Sequence, residues 1–140
     1  MSKPVAARCV LDASAILAFL RDEPGAAVVR QALDNHAAVS AVNLSEVLSK
    51  MLDKGAAPAV AQHALATLDM EVFPLDAPAA HETAWLRATT RQLGLSLDDR
   101  ACLALAAKLN AAVLTGDRPW LALNSSLGLD IRNIRPDAHQ

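Results

Sequence analysis

The stretch "RCVLDASAILAFLRDE", residues 8–23, puts an acid in the middle of an apolar run. Cys9, Val10 and Leu11 form a short strand-like lead. Ala13, Ile16, Leu17, Phe19 and Leu20 follow with helical spacing. Asp12 stands at the joint. Burying an unpaired carboxylate costs on the order of several kcal/mol. Either Asp12 caps the helix that follows it, or the fold needs a charge there.

The same strand–helix pattern repeats outward from this unit. "ARCVL" reads as a strand, and "ASAILAFLRD" and "AAVVRQALDN" as helices separated by Pro24-Gly25. "AAVSAV" reads as a second strand, followed by the helix "NLSEVLSKMLDKG", which Gly55 ends. The helix "PAVAQHALATLD" has Pro58 in its first turn, and "MEVFPLD" is a third strand. "APAAHETAWLRATTRQLG" and "SLDDRACLALAAKLN" are helices, "AAVLTG" a strand, "RPWLALNSSLG" a short helix or turn, and "LDIRNIR" a last strand. Short apolar strands alternating with helices predict an α/β fold with a mostly parallel sheet covered on both faces. At 140 residues, with no repeat, linker or low-complexity stretch, one domain is the simple reading.

Composition narrows the function classes. Apolar residues make up 53% of the chain, but only 3% is aromatic, so packing must rest on Ala, Leu and Val. A mean hydropathy of +0.23 suggests surface hidden in a dimer or partner complex. Thirteen bases against 15 acids give a formal charge of −2, which is not the signature of a general nucleic-acid binder. Cys9 and Cys102 sit in apolar settings and read as reduced core residues of a cytoplasmic protein. His36, His63, His81 and His139 show no ligand spacing, which argues against zinc. Arg8 and Asp12 break the N-terminal apolar run too early for a signal peptide, and no stretch is apolar for long enough to span a membrane.

Acids keep falling just beyond the apolar strands. Asp12 follows "CVL", Glu46 lies one turn into the helix after "AAVSAV", and Asp117 follows "AVLTG". The pair Asp98-Asp99 opens the helix that leads to that same strand. Open parallel sheets place their working sites outside the carboxyl ends of the strands. Two like charges about 4 Å apart repel by about 4 kcal/mol at an effective dielectric near 20. A divalent cation relieves that repulsion, and all-oxygen ligands suit Mg²⁺ or Mn²⁺. Such an ion serves phosphodiester chemistry. Each acid also has an ordinary reading. Asp12 is a favoured N-cap, and Ser96 with Asp99 fits a capping box. Glu46 reads as a solvated helix residue and Asp117 as a turn acid. Singly these suffice; together they leave the recurrence unexplained.

"VLDASAILAFLRDEPG", "SAVNLSEVLSK", "LGLSLDDRACLALA" and "VLTGDRPW", in this order and closed by "LGLDIRNIR", resemble the PIN-domain family. Within it they are most similar to the VapC ribonuclease toxins of toxin–antitoxin pairs. The resemblance runs from about Arg8 to Arg135 and implies an α/β/α sandwich, with residues 1–140 as a single PIN domain. It also implies a metal-dependent endoribonuclease in which Asp12, Glu46, Asp99 and Asp117 hold Mg²⁺, with Mn²⁺ as the alternative ion. A water activated by the ion would attack the scissile phosphate of RNA. Close family members often carry Gly where Asp98 stands, so Asp99 is the expected site residue, with Asp98 pointing elsewhere on the helix. Ser14 and Thr115 match positions that support the site through their hydroxyls; local turn or cap bonding is the equal alternative. With the four acids set aside, the remaining charge is net basic by two. Arg100 and Arg118 directly follow two site acids and are candidates for RNA phosphate contacts, with a salt bridge to a neighbouring carboxylate as the bland alternative.

The resemblance further implies a homodimer and a VapB-type antitoxin that enters or covers the cleft. The competing class is a silent PIN-like module that binds RNA or a partner without cutting; four gathered acids argue against it. A phosphatase of the D-x-D kind is not matched, because Ala13-Ser14 follows Asp12. A phospho-receiver would want an acid paired with Asp12. No GxGxxG or P-loop supports nucleotide binding.

Overall fold

Residues 8–135 are described by the computed structural model. The first seven residues, which include Ala7 of the first expected strand and most of the stretch weighed for a leader, lie outside the described residues, as does His139. The chain runs β1 (Cys9–Leu11), α1 (Ala13–Leu20), α2 (Ala26–Asp34), β2 (Ala37–Ser40), α3 (Ala41–Asp53), α4 (Pro58–Ala66) and β3 (Met70–Phe73). It continues through α5 (Ala77–Thr90), α6 (Leu97–Leu109), β4 (Ala112–Thr115), α7 (Leu123–Leu127) and β5 (Ile131–Asn133). Short 3-10 segments at Arg91–Leu93 and Arg118–Ala122 extend α5 and precede α7.

All strand pairs are parallel, in the order β3-β2-β1-β4-β5. Strand side chains alternate between faces, so each strand feeds two cores. Leu11, Ala37, Val39 and Leu114 pack with Ile16 of α1, Val29 of α2 and Val47 of α3. Val10, Ala38, Val113 and Ile131 pack on the other side with Cys102, Leu103 and Ala106 of α6 and with Trp120. The result is an α/β/α sandwich around a wholly parallel sheet. Among the described residues, no helix is long and apolar enough to cross a membrane. Both cysteines are free; Cys102 is buried and Cys9 half-buried.

Three sequence boundaries shift for local reasons. β2 ends at Ser40, not Val42, because the Ser40 hydroxyl accepts from the Val42 amide and starts α3 two residues early. That places Glu46 in the second turn of α3 rather than the first. β3 stops before Pro74, which has no N–H for the ladder. The long fifth helix tightens after Thr90, and Gly94, at φ 63°, closes it.

Gly25, at φ +100°, lets α2 begin against Ile134, the residue just past β5. A Cβ there would lie 2.6 Å from the Ile134 carbonyl oxygen, which is backbone and cannot swing aside. Gly55 has nearly the same backbone, φ +98°, but nothing within 4 Å. We expect Gly25→Ala to lose about 1–3 kcal/mol more than Gly55→Ala on urea unfolding. Equal losses would show that Ile134 yields.

Candidate active site

The strand order places a switch point between β1 and β4, because the chain leaves β1 for β2 on one side and β4 for β5 on the other. Asp12 follows β1 at this point, and Thr115 ends β4 beside it. The Asp12 carboxylate is buried, with 5% of the residue exposed. Its Oδ1 accepts from the Ala15 amide at 2.8 Å and from the Ser14 hydroxyl at 2.7 Å. Its Oδ2 accepts from the Thr115 hydroxyl. The Gly116 amide donates to Ser14 Oγ at 2.8 Å, and the Asp117 amide to Thr115 Oγ1 at 3.0 Å. So Asp12 caps α1 as its ordinary reading requires, and two hydroxyls from separate elements also orient it. Ser14 and Thr115 link the two central strand ends.

Burial pushes the Asp12 carboxyl above the usual carboxylate range; its hydrogen bonds pull it down, and the Asp99 charge raises it further. Glu46 is also raised, first by burial and then by Asp98, with Lys50 and the Asn43 side chain pulling against this and Asp99 adding to it. Lys50 Nζ stands 3.7 Å from Glu46 Oε2. Buried Cys102, one turn inside α6, is pushed well above an ordinary thiol by burial and by the charges of Asp12, Asp99 and Glu46. Those three acids, from β1, α3 and α6, therefore act on one buried point.

Asp99 closes the capping box foreseen from sequence. Its amide donates to Ser96 Oγ at 3.2 Å, and its Oδ2 accepts from the Ser96 amide at 3.1 Å. Asp98 corrects the helical-wheel expectation that it points elsewhere. With Glu46, Lys50 and Asp53 it lines an open cleft beside α3, and its charge acts on Glu46. Asp117 is exposed at the same rim and makes no capping hydrogen bond through its side chain. Among the described residues, no three His, Cys, Asp or Glu side chains stand close enough together to hold a metal as they are.

Arg100 corrects the expectation of a phosphate contact at the rim. It is 7% exposed, and its Nη1 donates to the Thr83 carbonyl of α5 at 2.9 Å, so it braces α5 against α6. Arg118 is exposed at the rim. Asn43 was not singled out from sequence. It is buried on α3, three residues before Glu46, and its Nδ2 donates to the Asp98 carbonyl at 3.0 Å. The available signal was this spacing, which puts Asn43 on the face of α3 that carries Glu46.

The PIN-domain model matches residues 9–123. The chain belongs to the PIN-domain family. No curated protein matches the sequence. Among solved structures, this PIN domain is similar to FitAcB from Neisseria gonorrhoeae, with a TM-score of 0.69 at 19% identity, covering 90% of this chain and 97% of that one. VapBC-1 from nontypeable Haemophilus influenzae gives 0.67 at 18% identity, over 90% and 97% of the two chains. VapBC-5 from Mycobacterium tuberculosis, a member of the VapBC family of toxin-antitoxin systems, gives 0.55 at 28% identity over 95% and 100%.

The donors at the rim suit the divalent cation that the family implies. They are carboxylates without a His or Cys partner, the set Mg²⁺ and Mn²⁺ take. Binding such an ion requires the carboxylates to close in, and the repulsion that adds to burial in raising Glu46 and Asp12 is what the ion would relieve.

Proposed function

We propose that this PIN domain is the toxin of a VapBC-type toxin–antitoxin pair, a metal-dependent endoribonuclease that acts in the cytoplasm. The observation that carries the reading is Asp12. A buried carboxylate at the switch point is oriented by hydroxyls of α1 and β4 and feels the charge of Asp99, and it acts on buried Cys102 together with Asp99 and Glu46. A cap alone needs neither the burial nor the neighbouring acids.

Asp12, Glu46, Asp99 and Asp117 would hold Mg²⁺ or Mn²⁺. When bound, the ion supplies an acidified water and stabilises charge developing on the scissile phosphate. The protein's own residues do the positioning. Ser14 and Thr115 hold both Asp12 oxygens, and the Ser96 capping box holds Asp99 on the first turn of α6. Arg118, exposed next to Asp117 in sequence, would meet a phosphate of RNA. A VapB-type antitoxin is the expected inhibitor, and a homodimer the expected assembly.

Antitoxin-free protein should fragment tRNA, rRNA or mRNA in Mg²⁺. Binding without any fragmentation would replace the enzyme with a silent RNA-binding module. Asp99 should matter more than Asp98, because its charge reaches both Asp12 and Glu46 while that of Asp98 acts on Glu46. We expect Asp99→Asn to lose at least about tenfold more cleavage than Asp98→Asn. The reverse order would shift the site one residue along α6.

A further inference from the structure

Gly116 stands between Asp117 and Thr115, whose hydroxyl holds Asp12. Unlike Gly25, Gly55, Gly94 and Gly128, it has no positive φ, so its backbone does not ask for glycine. A neighbouring side chain does. A Cβ at Gly116 would lie 2.8 Å from Nε of Arg135, 3.1 Å from Nη2 and 3.3 Å from Cζ. The guanidinium is thus seated against the bare Cα. The Gly116 amide donates to Ser14 Oγ at 2.8 Å, and the Ser14 hydroxyl donates to Asp12 at 2.7 Å. Arg135 lies two residues past β5 in a wholly parallel sheet, so it stands at the same carboxyl rim as Asp12 and Asp117. Asn133 fixes its backbone: Oδ1 accepts from the Arg135 amide at 3.3 Å, and Nδ2 donates to the Arg135 carbonyl at 3.2 Å. The side chain is 42% exposed. Glu23 Oε1 stands 3.9 Å from Nη2, too far for a hydrogen bond. An ion pair this long and this exposed contributes little to stability.

We propose that Arg135 is a further RNA-binding residue of this site: its guanidinium, seated against Gly116, takes a phosphate flanking the scissile one. Its contact with Asp12 runs through Gly116 and Ser14, which sets it beside the reacting position rather than on it. The acids of the rim repel an RNA backbone, and a divalent ion offsets that at the scissile phosphate alone. A flanking phosphate needs a cation of its own. The planar fork of arginine matches phosphate oxygens two at a time. Glu23 is then the anion that the fork faces without RNA and that a phosphate displaces. The competing role is a brace, in which Arg135 ties the end of β5 to the connection between α1 and α2 through Glu23. The two roles differ in sign at Glu23: removing a brace partner harms the site, and removing a competing anion does not. The inference rests on the RNA-cleaving reading above.

Binding of antitoxin-free protein to a fluorescein-labelled single-stranded oligouridylate tests it, titrated across a series of KCl concentrations in Ca²⁺ so that the probe survives. Melting curves establish that each variant is folded at the titration temperature. Arg135→Gln should weaken binding by about tenfold. It should also make the slope of log affinity against log salt shallower by about 0.7, the share of one single-strand phosphate contact. Glu23→Gln should bind as tightly as wild type, or up to about threefold tighter. If Arg135→Gln does not fold, Arg135→Met, which keeps the stem against Gly116, takes its place. A folded Arg135 variant within about twofold of wild type overturns the inference. So does a weakened one whose salt slope is unchanged, and so does a Glu23→Gln loss as large as that of Arg135→Gln, which would make Arg135 a brace. Wild-type protein that bound none of the probe at low salt would remove the RNA reading itself, and this inference with it.

Discussion

Asp12→Asn should reduce RNA cleavage by at least about 100-fold while leaving the fold intact. The substitution is nearly isosteric, and the local hydrogen bonds can survive it. Oδ1 remains a carbonyl for the Ala15 amide and the Ser14 hydroxyl. The new amide nitrogen faces Thr115 Oγ1, and that hydroxyl can turn from donor to acceptor. What disappears is the charge. Because burial raises the Asp12 pKa above its unfolded value, the native state holds the proton more tightly than the unfolded one. The contribution of Asp12 to stability is therefore greatest in acid and declines as pH rises from the ordinary carboxylate range through the raised pKa. The substituted amide does not titrate, so the metal-free variant should melt at or above the wild-type temperature at pH 7. The test pairs a cleavage assay with melting curves at pH 4 and pH 7. Wild-type cleavage by the variant would remove Asp12 from the site. A large loss of melting temperature would make Asp12 a cap and little more.

The sheet was legible because each strand carries its own signal. A run such as "AVLT" has four residues suited to burial on both faces, and a parallel sheet covered on both sides buries both. Asp12 and Asp99 were legible as caps because those roles are local in sequence; Ser14 and Thr115 were singled out through the family resemblance, and the Thr115 bond to Asp12 spans 103 residues. Asn43 was not, because its partner is the Asp98 carbonyl 55 residues away, and backbone acceptors leave no trace in a side-chain pattern. Arg100 was misplaced for the same reason: its neighbour in sequence is Asp99, but its hydrogen bond goes to Thr83 across the helix pair. The start of α3 moved because Ser40 suits both the end of a strand and an N-cap, and the cap prevailed. Asp98 shows the limit of helical-wheel reasoning. The wheel gives its angle on α6, but only the packing of α3 against α6 tells what stands at that angle.

Removal of divalent ions should abolish cleavage, and Mg²⁺ or Mn²⁺ should restore it. Electrostatics leads to this expectation independently of the family. Asp12 and Glu46 are both raised by burial and by neighbouring acids, so the rim resists carrying its full charge. A cation reverses that resistance and must displace the protons that burial favours. Ion affinity should therefore fall as pH falls through the raised carboxyl pKa values, more steeply than for exposed carboxylates of ordinary pKa. Binding to the native state alone also raises stability, by about 2.7 kcal/mol at about 100 times the dissociation constant. Melting temperature should thus climb with Mg²⁺ at pH 7, climb less at pH 5, and barely respond in Asp12→Asn. Ca²⁺ should stabilise the protein yet support poor cleavage, because its larger and looser shell holds an attacking water less strictly. Cleavage that persisted at full rate in EDTA would exclude a cation mechanism. A Mg²⁺-dependent shift of equal size in wild type and Asp12→Asn would place the ion somewhere other than the switch point between β1 and β4.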